Sequence, residues 1–127
     1  MKKHVYIVLL AFGALMAAAC GRSEIHINVN DDELVGLWQK ENSQEYWRYN
    51  EDYSGVTWDE AEDITEEESN LVYTWSVTDG DVLRHVFTGA EANQAVPKVY
   101  TVKEISSVAM TWEDDYGMRY RLVKVKD

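Results

Sequence analysis

From Leu34 onward the chain is a series of short blocks rich in aromatic and β-branched residues, each cut off by turn residues, and no segment sustains a long helical period. The blocks run Leu37 to Lys40, Glu45 to Tyr49, Gly55 to Trp58, Leu71 to Thr78, Asp81 to Phe87, Lys98 to Ile105, Val108 to Glu113 and Met118 to Val125. Asp79-Gly80 lies between the fourth and fifth. It predicts a two-residue hairpin turn, because such turns need the positive φ that Asp and Gly tolerate. Ser106-Ser107 and Asp114 to Gly117 supply the next two turns. The last four blocks therefore predict consecutive antiparallel strands, a meander that removes its exposed edges by closing. The expected fold is all-β: an antiparallel up-and-down barrel of about eight strands in one domain over 34–127.

Alternation assigns faces, because successive strand side chains point to opposite sides. Tyr73, Trp75 and Val77 share one face; Val108, Met110 and Trp112 share another; Met118, Tyr120 and Leu122 share a third, opposite Arg119 and Arg121. These predict the inward faces. On them Tyr73, Trp75, Met110, Trp112 and Tyr120 are the candidates to line a site for a small hydrophobic or amphipathic ligand, and a filled core is the competing use of the same side chains. Between Trp58 and Asn70, the stretch Asp59 to Ser69 carries seven acids. Thr65 followed by Glu68 matches a capping box, so a short acidic helix is expected from Thr65, with a solvated loop as the alternative. Its functional reading is a cation site or an acidic docking face; because the alternating oxygen ligands and Gly of an EF-hand are missing, a solvated, self-repelling segment is the competing reading.

Much chemistry is missing. Twelve Lys and Arg against 23 Asp and Glu give a net charge of -11, which argues against a phosphate-binding surface and so against nucleic acid as a partner. No Gly-rich phosphate loop, Gly-x-Ser-x-Gly elbow or His-Glu-x-x-His helix occurs. His26 and His85 lack Cys or His neighbours at zinc spacing, so neither a metal site nor a cofactor is expected. His85 falls on a strand with Leu83 and Phe87 and reads as a surface or hydrogen-bonded structural residue. No triad partner can be named for it, and the chain is not expected to be an enzyme.

The front of the chain carries an address. Lys2, Lys3 and His4 precede an apolar run from Val5 to Ala18, and Ala17-Ala18-Ala19 leads to Cys20. A basic start, a short hydrophobic centre and a small-residue end make a secretory signal peptide of residues 1–19. Cys20 after three alanines resembles the lipobox of bacterial lipoproteins, which implies cleavage before Cys20, acylation of its thiol and the lipid bilayer as a partner. Gly21, where an Asp would favour retention in the inner membrane, is compatible with the outer membrane of the cell envelope. Two or three acyl chains anchor stably, at about 0.8 kcal/mol per buried CH₂. Residues 20–33 then form a lipidated tether, although Ile25, Ile27 and Val29 alternate with polar residues and allow a docked strand instead.

Gly36-Leu37-Trp38 opens the first block with Gly-x-Trp. Downstream stand Trp58-Asp59, Asp63-Ile64-Thr65-Glu66-Glu67-Glu68, Tyr73-Thr74-Trp75, Val96 to Val102 and Tyr116-Gly117 with Lys124-Val125. Together these resemble the small lipocalin-like, or calycin-like, lipoproteins of Bacteroides-type bacteria, from about Leu34 to Lys126. The resemblance implies an eight-stranded barrel on a lipid anchor. It also implies closure of one barrel end around Gly36 and Trp38 by a cation, for which parity makes Lys124 the first candidate and Arg121 the second. The functional expectation is a membrane-anchored binder of a small hydrophobic or amphipathic ligand. The alternative is a structural or protein-interaction lipoprotein with a filled barrel and an acidic docking face.

Overall fold

A computed structural model describes residues 26–88 and 97–126. The signal segment and Cys20 lie outside the described residues. Eight strands follow in order: β1 (Gly36–Lys40), β2 (Glu45–Tyr49), β3 (Ser54–Asp59), β4 (Val72–Thr78), β5 (Val82–Phe87), β6 (Lys98–Ile105), β7 (Ala109–Glu113) and β8 (Arg119–Val125). Each pairs antiparallel with the next, and β8 pairs back onto β1, so the sheet is a closed barrel. The fold is the all-β up-and-down barrel that the blocks and turns predict. At the β4–β5 hairpin Asp79 (φ 54) and Gly80 (φ 85) both take positive φ, as the tight turn demands.

At three places the structure departs from the local pattern. Val108 and Met118, expected on inward faces, are exposed, because each sits in the turn just before β7 or β8 begins. Thr65 and Glu68 do bond, the carboxylate accepting from the Thr65 amide at 3.1 Å and hydroxyl at 2.9 Å. Yet the chain makes a single turn there rather than a helix; the helical piece in this acidic segment is a 3₁₀ turn at Glu60–Glu62. Asp59 holds that turn by accepting from the Ala61 amide. Finally, residues 26–33 of the expected tether are bound to the barrel as an extended strap. The Val29 amide donates to the Gly80 carbonyl at 2.7 Å, and His26 Nδ1 lies 2.6 Å from the buried Asp81 carboxylate. The strap ends in one helical turn, α1 (Asp31–Leu34), which buries Leu34 completely.

Inward alternation fills the barrel with rings. Trp38, Tyr49, Tyr73, Leu83, Met110 and Leu122 are all fully buried, and they come from different strands. The turns β2–β3, β4–β5 and β6–β7 gather at one end with the strap. The β1–β2, β3–β4 and β7–β8 connections gather at the other.

Candidate functional site

The strap end of the barrel is shut. Trp38 is fully buried and its indole N–H donates to the Leu34 carbonyl at 2.8 Å. Lys124 stands directly across the ladder from Trp38, with its ammonium 4.5 Å from the Trp38 ring centroid and donating to the Val35 carbonyl at 2.6 Å. Gly36, at φ +132, makes the approach possible, since a Cβ there would lie 2.6 Å from Lys124 Cε. Gly36, Trp38 and Lys124 thus form one closure. Arg121 does not join it: it faces outward, as the opposite parity requires, and pairs with Glu41 at 3.0 Å.

The opposite end is open. There the inward side chains stop meeting and leave a cleft of about 1180 Å³. Its inner wall includes Trp47, Tyr100 and Trp112. Tyr100 and Trp112 stack at 4.4 Å, and Trp47 stands edge-on to Trp112 at 5.3 Å, so the wall is a rigid aromatic surface rather than a collapsed one. Below it His85 packs against all three rings. Its Nε2 lies 2.6 Å from the Tyr49 hydroxyl, while Nδ1 has no hydrogen-bond partner among the described residues. Burial, with the nearby Lys98 charge adding to it, pushes the His85 pKa down to about 3, so this imidazole is neutral at physiological pH.

The rim is acidic because the strands change character at their ends. Alternation carries the inward face from Tyr49 through Trp47 to Glu45, so the last inward residue of β2 reaches water as a carboxylate. Glu45 accepts from the Trp47 indole at 2.8 Å. Asp59 ends β3, and Asp114 follows β7, accepting from the Tyr116 and Met118 amides and from the Tyr120 hydroxyl. Glu62, Glu68 and Asp115 also line the cleft. Two lysines oppose them: Lys98, and Lys40, whose ammonium sits 4.6 Å from the Tyr120 ring centroid. The negative field is felt inside the wall. Burial first, then the Glu45 and Asp114 charges, push the Tyr100 hydroxyl up to about 12.

Of the five residues expected to line a ligand site, Trp112 and Tyr120 border the cleft. Tyr73, Trp75 and Met110 do not, and this corrects their assignment; they are packed deeper in the barrel. Tyr73 donates to the Arg48 carbonyl and Trp75 to the Ser54 carbonyl, which ties both to the strap half. Parity identifies which face a residue occupies but not its height along the barrel axis. Trp47, Tyr100 and the inward carboxylates were missed for a related reason. In so acidic a chain a carboxylate pattern carries little weight until the register shows Glu45 in line with Trp47 and Tyr49.

No protein-family model matches the sequence, nor does any curated protein or solved structure. Among the described residues no group of three or more His, Cys, Asp or Glu is placed to hold a metal ion. No helix among them is long and apolar enough to cross a membrane.

Proposed function

We propose that the protein is a non-enzymatic, membrane-anchored lipocalin-like lipoprotein of the cell envelope that binds a small amphipathic ligand in the barrel mouth. The observation that carries this reading is the cleft of about 1180 Å³ at the end opposite Trp38, walled by aromatic rings already fixed against one another. Ligand sites are concave and largely pre-formed around apolar and aromatic surface, and this cleft pairs such an aromatic wall with a rim of charged groups. The lower barrel is filled and supplies the stability that an open mouth gives up. Acylated Cys20, on the lipobox resemblance, is the anchor. The acidic segment supports the binding reading over a separate docking face, since Asp59, Glu62, Ile64 and Glu68 border the same cleft.

Titration of the purified full-length protein with single-chain alcohols and sterols, read by tryptophan emission, tests the binding reading. A saturable shift is expected, and Trp112→Ala should weaken it. Absence of any saturable signal across the panel overturns it. Metabolic labelling with a fatty-acid probe tests the anchor: Cys20→Ser should abolish the label and release the protein from the membrane fraction.

A further inference from the structure

We propose that the ligand taken by this mouth is an amphipathic organic cation, its apolar body against Trp47, Tyr100 and Trp112 and its ammonium group at the carboxylate rim. This rests on the binding reading above and names the ligand class. Three independent features of the cleft point the same way.

The first is charge placement. Glu45, Asp59, Glu62, Glu68, Asp114 and Asp115 border the cleft, against Lys40 and Lys98. None of the six carboxylates has an ion-pair partner among the described residues; the hydrogen bonds they accept there come from amides, hydroxyls and an indole. Such bonds orient a carboxylate but leave its charge uncompensated. An anionic head, as in a fatty acid, would meet this rim with like charges, whereas an ammonium would be drawn to it.

The second is the chain's own ammonium. Lys40 already lies over the Tyr120 ring, and Tyr120 in turn donates to Asp114 at 3.3 Å. A ring face backed by a carboxylate is the arrangement that recognises ammonium groups, and here the protein shows the rim accepting one. The third is the wall. Stacked Tyr100 and Trp112 present flat π surface below the rim, so the same ligand can bury an alkyl or aromatic body there while its charge stays at the partly hydrated mouth.

The experiment compares three probes with one decyl tail: decyltrimethylammonium, decanol and decyl sulfate, each kept below its micellar concentration. Each is titrated into the purified full-length protein and followed by tryptophan emission. The cation is expected to bind about tenfold more tightly than the alcohol at low salt, and the sulfate more weakly than the alcohol, with the spread shrinking as salt is raised. Glu62→Gln with Asp115→Asn removes two exposed rim charges that no hydrogen bond or ion pair ties down among the described residues, and should lower the ratio of cation to decanol affinity. Lys40→Gln, which vacates the Tyr120 face, should tighten the cation further. Equal affinity for the three probes, or a preference for the sulfate, overturns the cation proposal and leaves the binding reading standing. No saturable response to any of the three overturns both.

Discussion

A single histidine ties the stability of the barrel to pH. His85 is fully buried among Trp47, Tyr73 and Trp112, with its Nε2 on the Tyr49 hydroxyl. Burial holds Tyr49 well above its ordinary pKa, so that hydroxyl stays protonated and can donate. The folded-state pKa of His85, about 3, lies below the unfolded value of 6.5, so between those limits the unfolded chain binds a proton that the folded chain refuses. Stability from this residue is therefore fully present above about pH 6.5 and is lost as pH falls toward 3. The slope is roughly 1.4 kcal/mol per pH unit, and the loss between pH 7 and 4.5 is roughly 3 kcal/mol. Urea unfolding across this range should show the slope, and His85→Gln should flatten it. An unchanged slope in the variant would assign the acid sensitivity to the carboxylates instead. Glycine matters at a second position. Gly55 faces Tyr73 across the β3–β4 ladder, and a Cβ at Gly55 would lie 2.4 Å from both the Tyr73 ring and the Arg48 carbonyl oxygen. Because one of those atoms is backbone and the ring is buried, Gly55→Ala should destabilise the protein by about 1 to 3 kcal/mol in denaturant unfolding. The Gly36–Trp38 pair was readable as a local motif; the need for Gly55 was not, because the ring that covers it belongs to another strand.

At the scale of elements, the strands were legible and the strap only in part. Period-two alternation and Asp79-Gly80 are local signals, and the eight blocks fall within two residues of the observed strand ends. The Thr65–Glu68 box is local too, but it fixes only one turn. With no apolar stripe behind it to pack on the barrel, that turn has no reason to propagate. The strap depends on partners some fifty positions away: Val29 bonds Gly80, and His26 bonds Asp81. The alternation of Ile25, Ile27 and Val29 allows a docked strand, but no local pattern names the residues it meets. Asp81 is 3% exposed, and its recorded side-chain partner is His26, so removing the imidazole leaves a buried carboxylate poorly satisfied. His26→Ala should destabilise the fold by about 1 to 2 kcal/mol. Adding Asp81→Asn should recover part of that loss, because the burdened charge goes with it. A thermodynamic cycle of the two variants measures the coupling. Additive effects would show that the strap is held by Val29 and Leu34 alone.

For the whole molecule, one end of the barrel is closed and the other open, and the strap from His26 onward docks at the closed one. Trp38, Lys124 and Leu34 seal the strap end, whereas the cleft opens where β1–β2, β3–β4 and β7–β8 turn. His26, already bound to Asp81 at the closed end, is six positions after Cys20. Six residues span at most roughly 20 Å, even fully extended. On the proposal that Cys20 carries an acyl anchor, that anchor would hold the closed end toward the bilayer and turn the mouth to the water. Ligand would then load from solution and not from the leaflet in which the protein is anchored. The net charge of -11 over the sequence would favour the same arrangement, since anionic lipid repels an acidic chain. The expectation is measurable on the acylated protein in vesicles, where lipidation occupies the Cys20 thiol and leaves an introduced cysteine free for a spin label. A label at Ser107→Cys, in the closed-end turn between β6 and β7, should be strongly relaxed by a paramagnetic metal chelated to lipid headgroups. One at Tyr116→Cys, beside the mouth, should be nearly unaffected, because the barrel stands between them. Equal relaxation at the two sites would mean that the barrel lies on its side, and stronger relaxation at 116 would place the mouth against the membrane and reverse the route by which ligand arrives.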